Sequence, residues 1–152
     1  MIELIDVTNN QKQISRDILE SLKDWFIPMV VDRVVKEADQ VPMIAARDGD
    51  KLVALITLKQ QTSETVEIRA LAVRPEYHRK GIGRLLVAEA EQRAIQDGAR
   101  MLSLKTVGPS DSNPNFVPTR AFYSSLGFIH VEELPLWGPE TSCLLMAKPL
   151  AA

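Results

Sequence analysis

The chain has 152 residues and a mass of 17.0 kDa, the length of one ordinary domain, which excludes a large multidomain organisation. Hydrophobic residues make up 45% and charged residues 25%, so a packed fold is expected and a disordered or fibrous chain is not. Eighteen Lys and Arg against twenty Asp and Glu leave a formal charge of −2, without the basic excess that binds a polyanion, so nucleic acid is not expected as a partner.

The single cysteine, Cys143, has no intrachain disulfide partner and cannot build a multi-cysteine zinc site, and His78 and His130 add few ligands. No metal is expected, and a reducing cytoplasm fits this inventory. No apolar run reaches the length of a membrane span, and residues 1–10 carry acids where a signal peptide would carry bases. The expectation is a soluble, cytoplasmic protein with no membrane partner.

Residues 2–7 alternate as a first strand, and Thr8-Asn9-Asn10 offers capping chemistry before a helix-prone stretch over 11–24. Ile14, Ile18, Leu22 and Trp25 recur at helical spacing and are read as a buried stripe. Trp25-Phe26 stands beside Pro28, which predicts a break and a second helix over 29–38. Strands over 41–47 and 51–59 flank Asp48-Gly49-Asp50, a hairpin signal. In a third run, 65–74, Val66, Ile68 and Ala70 alternate before Leu71, Ala72 and Val73 are all apolar. That change of phase predicts a β-bulge.

After Pro75 comes the turn His78-Arg79-Lys80-Gly81-Ile82-Gly83, then a helix over 84–96 with Leu85, Leu86, Ala90 and Ala94 as its apolar stripe. A strand over 100–107, a loop over 108–118 rich in Pro, Asn, Ser and Asp, and a short helix over 119–126 follow. Strands over 128–132 and 142–148 close the chain, joined by a segment that holds Trp137. With no repeat and no linker, the expected organisation is one mixed α/β domain over 1–152.

A glycine-bearing turn that opens a helix is the first place to look for chemistry. Unpaired N–H groups and the helix dipole there favour an anion such as a pyrophosphate. Gly81 and Gly83 let backbone approach the anion, while Arg79, Lys80 and Arg84 supply positive charge. No Gly-Lys-Ser/Thr follows, and the first glycine of the dinucleotide fingerprint is missing.

Residues 67–86, with Leu71-Ala72-Val73-Arg74-Pro75 leading into His78-Arg79-Lys80-Gly81-Ile82-Gly83-Arg84, closely resemble the acetyl-CoA-binding motif of the GNAT (general N-acetyltransferase) superfamily. A second block, Thr119-Arg120-Ala121-Phe122-Tyr123-Ser124-Ser125-Leu126-Gly127-Phe128, resembles another conserved segment of that family in the same order and spacing. The resemblance implies an α/β (α+β) three-layer fold, with a mixed central sheet of about seven strands, a bulged fourth strand and about four flanking helices. It implies an acetyl-CoA-dependent N-acetyltransferase acting on a primary amine of a small molecule or peptide by direct attack in a ternary complex. Acetyl-CoA is then the cosubstrate, an amine acceptor the second partner, and a homodimer paired through the last strands remains open.

Residue by residue, the resemblance gives Leu71, Ala72 and Val73 backbone groups that pair with the pantetheine arm and acetyl carbonyl. It gives the amides of Arg79, Lys80, Gly81, Ile82, Gly83 and Arg84 the pyrophosphate, and places Phe122 and Tyr123 against the cofactor. His78 stands where the family pattern usually has glutamine or arginine. A protonated His78 would add charge to the anion site; the alternative is a turn histidine without a role. Glu67 matches a catalytic glutamate of several members and would take the proton of an amine whose pKa lies near 10.4; the alternative is a strand carboxylate paired with Arg69 or Lys59. The Leu71 N–H would stabilise the tetrahedral oxyanion, and Tyr123 would donate to the departing thiolate. Cys143, in an apolar strand with no histidine near it in sequence, is read as a buried thiol and not as an acetyl carrier.

Family analogy puts the acceptor groove near Trp25, Phe26, Phe116 and Trp137, and Asp24, Asp111, Glu132 and Glu133 could attract a cationic amine. Two alternatives remain beside the acetyltransferase: a non-catalytic acyl-CoA-binding or sensing domain, and a transferase that uses a different acyl-CoA.

Overall fold

The computed structural model describes residues 1–151. Its elements follow in the order β1 (Ile2–Val7), α1 (Gln11–Glu20), α2 (Pro28–Glu37), β2 (Met43–Asp48), β3 (Lys51–Gln60), β4 (Thr65–Val73), α3 (Ile82–Gln96), β5 (Met101–Val107), α4 (Val117–Ser125), β6 (Ile129–Leu134) and β7 (Cys143–Pro149). The seven strands share one mixed sheet in the order β1-β2-β3-β4-β5-β7-β6. Backbone contacts cluster into two units, one of Met1–Lys59 with Ile68–Arg93 and one of Gln60–Glu67 with the chain from Ala94 onward.

In the first unit β1, β2 and β3 form an antiparallel meander from Ile2↔Asp48 to Met43↔Thr57, with a register shift at Ala46/Arg47. The β2–β3 hairpin closes on the expected Gly49, whose φ of 62° suits glycine. Ile18, Leu19, Leu22, Val34, Ala38, Met43, Leu55, Ala70 and Ala72 form its core. Each large aliphatic side chain buried here contributes about 1.5–3 kcal/mol relative to exposure.

Three local expectations are corrected. α1 ends at Glu20 rather than continuing to residue 24, because the chain tightens into three-residue turns: Leu22 N–H donates to Leu19 C=O and Trp25 N–H to Leu22 C=O. A period of three keeps Leu19, Leu22 and Trp25 on one side, so the buried stripe survives the loss of the α-helix. Asn10 occupies the N-cap of α1 in the left-handed conformation (φ 59°), but its side chain makes no capping bond and instead donates to Asn9 Oδ1. In α3, which begins at Ile82, the buried residues are Ile82, Leu86, Val87, Ala90 and Ala94, whereas Leu85 is 49% exposed; the core row runs at i, i+4 from Ile82 and leaves Leu85 beside it.

Burial along β4 also differs from expectation. Ile68, Ala70 and Ala72 are buried while Arg69, Leu71 and Val73 are half-buried, so alternation continues through Leu71–Val73. The break in phase lies earlier, where Val66, Glu67 and Ile68 are buried in succession.

In the second unit β5 and β7 pair antiparallel from Met101↔Pro149 to Val107↔Cys143, and β6 adds to β7 with a shift at His130/Glu132. Leu102, Leu104, Phe128, Leu144 and Met146 are buried there, and Cys143 is a fully buried thiol in no disulfide. Among the described residues no helix is long and apolar enough to cross a membrane.

Candidate active site

In the first unit β4 gives way to a short 3-10 turn, Pro75–Tyr77, and the chain passes through His78 into α3. The end of the strand is fixed by Arg74, whose amide donates to Val53 C=O at 2.9 Å and whose Nε donates to Leu52 C=O at 2.9 Å. Arg79 (φ 62°) and Gly81 (φ 78°) both adopt left-handed backbone, so the turn curls into a concave arrangement of amides, a conformation costly for a side-chain-bearing residue such as Arg79. The first intrahelical bond here runs from Leu85 N–H to Gly81 C=O at 3.1 Å. The amides of Ile82, Gly83 and Arg84 therefore precede any intrahelical acceptor and suit an anion.

Nothing lies within 4 Å of the position a Gly81 Cβ would take, so it is conformation and not crowding that requires glycine there. The Ile82 side chain is only 1% exposed, so of this residue only the amide is on offer. Arg79, Lys80 and Arg84 are exposed.

Tyr77 ties this turn to the β2–β3 hairpin. Its hydroxyl donates to Asp48 Oδ2 at 2.7 Å, while Lys51 and Lys80 stand 5.6 and 5.3 Å from its ring centroid. The hydrogen bond holds the Asp48 carboxyl below its ordinary value and the Tyr77 phenol above its own. His78 Nε2 lies 2.6 Å from Val73 C=O, and its ring meets Trp25 edge-on with centroids 5.5 Å apart.

β4 is anchored to α2 by two arginines. Arg69 makes a bidentate pair with Glu37 (2.9 and 3.1 Å), and Arg33 donates to Arg69 C=O at 2.9 Å. Arg69 is thus engaged by α2.

In the second unit Glu67 is 3% exposed. Its Oε2 is ion-paired with Lys105 Nζ of β5, and its Oε1 accepts from Gln61 Nε2 at 3.2 Å. Lys105 and Gln61 are residues that sequence reasoning missed: Lys105 lies 38 positions from Glu67, and no local pattern announces a pairing at that distance. Tyr123, on α4, is also buried; burial pushes its phenol well above the ordinary value of 10.0. Its ring packs edge-on against Phe122 and Phe128, with centroids 5.3 and 5.7 Å away.

The residues suggested for the acceptor divide between the units. Trp25 and Phe26 are half-buried in the connection after α1, packed on the first unit's core. Phe116, in the 3-10 turn Pro114–Phe116, is only 6% exposed, so its ring is largely inside. Trp137 is half-buried in the turn Pro135–Trp137. Of the four candidate carboxylates, Asp111 and Glu133 are used locally. Asp111 accepts from Asn113 N–H at 2.9 Å, and Glu133 Oε1 accepts from the Ser110 amide, the Ser110 hydroxyl and the Ser142 hydroxyl.

This Glu133 cluster explains Gly108. A Cβ there would lie 2.5 Å from Ser142 Oγ and closer still to Glu133 Oε1. Gly108→Ala is expected to displace the carboxylate and lower the melting temperature, measured by thermal denaturation. The sign of its pH dependence follows from the hydrogen bonds of Ser142 and Ser110, which lower the Glu133 pKa from its ordinary 4.5. A depressed folded-state value contributes stability above 4.5 that is lost as pH falls through the folded value. The difference between wild type and Gly108→Ala should therefore narrow as the pH falls below 4.5.

Among the described residues no group of three or more His, Cys, Asp and Glu side chains is placed to hold a metal ion. What the first unit offers is a strand–turn–helix arrangement in an α/β protein, with free backbone amides at the start of the helix that suit an anion. The acetyltransferase (GNAT) family model matches residues 6–128, and the chain belongs to that family. It is 27% identical over 111 residues to the uncharacterised N-acetyltransferase YsnE of Bacillus subtilis, covering 73% of this chain and 71% of the relative. The fold superposes with a TM-score of 0.85 on an acetyltransferase of the GNAT family from Desulfovibrio desulfuricans, at 22% identity over 99% of this chain and all of the other. It also matches a GNAT family acetyltransferase from Elizabethkingia anophelis with acetyl-CoA bound, with a TM-score of 0.73 at 19% identity over 98% of both chains.

Proposed function

We propose that this protein is an acetyl-CoA-dependent N-acetyltransferase that moves the acetyl group directly to a primary amine of a small molecule or peptide, acting as one domain over the whole chain. The observation that carries this reading is the amide cradle of Arg79–Arg84, a backbone site suited to the CoA pyrophosphate, in a chain of the GNAT family. The family match crosses both compact units, which supports reading them as one functional domain.

In this reading the half-buried strand residues Leu71 and Val73, with Ala72, offer backbone to the pantetheine arm, and the Leu71 N–H meets the oxyanion. Phe122 packs beside Tyr123 at the cofactor. Glu67 is the base that takes the proton of the amine, with Lys105 holding the carboxylate in place. Tyr123 donates to the sulfur. Moving a proton from a phenol raised above 10 to an ordinary thiolate, whose conjugate acid lies near 8.5, is uphill. Tyr123 therefore acts first as a hydrogen-bond donor to the developing thiolate, and burial keeps its proton in place across the working pH range. Trp25, Phe26, Phe116 and Trp137 are the acceptor-side aromatics of this reading. The setting is cytoplasmic, where acetyl-CoA and reduced thiols coexist.

CoA thiol release from acetyl-CoA, followed across polyamines, amino acids, aminoglycosides and peptides with a free N-terminus, tests the reading. Acetyl-CoA turnover that depends on at least one amine class is expected. CoA binding without amine-dependent release from any class would instead favour an acyl-CoA sensor, and faster release from propionyl- or succinyl-CoA would favour a different acyl donor.

A further inference from the structure

His78 departs from the family pattern, and its surroundings give the departure a use. Its Nε2 lies 2.6 Å from Val73 C=O. A carbonyl only accepts, so Nε2 must carry the proton, and that fixes the neutral ring in its Nε2–H tautomer. The ring is held from a second direction by the edge of Trp25, 5.5 Å between centroids at an interplanar angle of 85°. Its backbone is fixed as well, since His78 N–H donates to Pro75 C=O at 3.1 Å. One side chain thus joins three pieces of the first unit: the end of β4, the start of the anion turn and the connection between α1 and α2.

We propose that His78 is a positioning residue that locks the Val73 carbonyl, the anion turn and Trp25 into one piece, so that seating CoA on the turn is felt at the acceptor-side Trp25. A glutamine in its place could donate to Val73 C=O but offers no ring to Trp25. A phenylalanine would keep the ring and lose the donor. The two substitutions therefore separate the two contacts. The inference rests on the reading of the turn as the CoA site.

The test uses the full chain, with CoA as the probe, and two readouts: affinity by titration calorimetry, and Trp25 emission in a Trp137→Phe background, where Trp25 is the only remaining tryptophan. CoA should shift Trp25 emission when His78 is present. His78→Phe should weaken CoA binding roughly three- to tenfold, the net worth of one hydrogen bond. His78→Gln should keep CoA affinity within about twofold, the donor being retained, and lose the emission shift. If both variants bind CoA as the wild type does and give its emission shift, the inference is overturned while the CoA reading stands. If the wild type itself does not bind CoA, the functional reading falls and this inference with it. A merely structural histidine would lower the melting temperature in both variants without separating affinity from emission.

Discussion

Tyr123→Phe is expected to lower kcat by about 10²-fold or more, the scale of a lost general-acid or hydrogen-bond contribution in a transition state. Acetyl-CoA affinity should stay within about twofold, because the phenylalanine ring keeps the edge-on contacts with Phe122 and Phe128 and loses only the hydroxyl. Steady-state kinetics with calorimetric binding of CoA separates the two quantities. Burial supports the assignment in a specific way: a phenol raised above 10.0 keeps its proton at any pH an enzyme meets, so its loss should be felt equally at pH 6 and pH 9. A kcat that matches wild type would remove Tyr123 from the chemistry and leave it as a packed aromatic.

The second large effect concerns Glu67. A primary amine near pKa 10.4 is neutral in roughly one molecule in a thousand at pH 7.4, so losing the base should cost about 10²-fold in kcat/KM there. The deficit of Glu67→Gln should shrink as pH rises, because the acceptor then loses its proton without help. Lys105 makes the experiment discriminating. Glu67 is almost wholly buried, whereas the Lys105 side chain is 22% exposed and can reach water. Removing the lysine takes this ion pair from a buried carboxylate that Gln61 still hydrogen-bonds, at a cost of up to about 3–5 kcal/mol. Removing the carboxylate leaves a lysine that water can still solvate, at a smaller cost. Lys105→Met should therefore destabilise more than Glu67→Gln, by a difference readable in thermal melts, while Glu67→Gln should carry the larger catalytic loss per degree of melting temperature. If activity follows stability in both variants alike, Glu67 is an ion-pair residue and not the base.

The turn before α3 was legible in the sequence because its cause is local. Gly81 and the helix that follows specify the amide cradle within a few residues, and the resemblance of residues 67–86 to a family motif adds to the same stretch. The hairpin at Asp48-Gly49-Asp50 was legible for the same reason. Strand order was not legible, since β6 adding outside β7 depends on pairing between distant segments. The partners of charged strand residues were not legible at all. Sequence offered Arg69 or Lys59 for Glu67 and did not point to Glu37 of α2, which holds Arg69, or to Lys105 of β5, which holds Glu67. Alternation says which face of a strand a residue occupies but not what meets it there. The burial of Phe116, which family analogy put near the acceptor groove, was likewise not announced by its polar loop; it lies largely inside, in the short turn that Asn113 caps.

The −2 charge of the whole chain likewise conceals local structure. Arg79, Lys80 and Arg84 gather, exposed, at the turn, a local cluster of positive charge that the net value does not reveal.

The central claim is transfer of acetyl from the thioester to an amine nitrogen. Acetyl-CoA labelled in its acetyl carbon, incubated with the enzyme and the best amine of the panel, tests it most directly when labelled amide and released CoA thiol are counted in the same sample. One labelled amide per thiol, with thiol release falling to background without the amine, is the predicted result. Thiol released at the same rate with and without amine, with the label recovered as free acetate, would contradict the account.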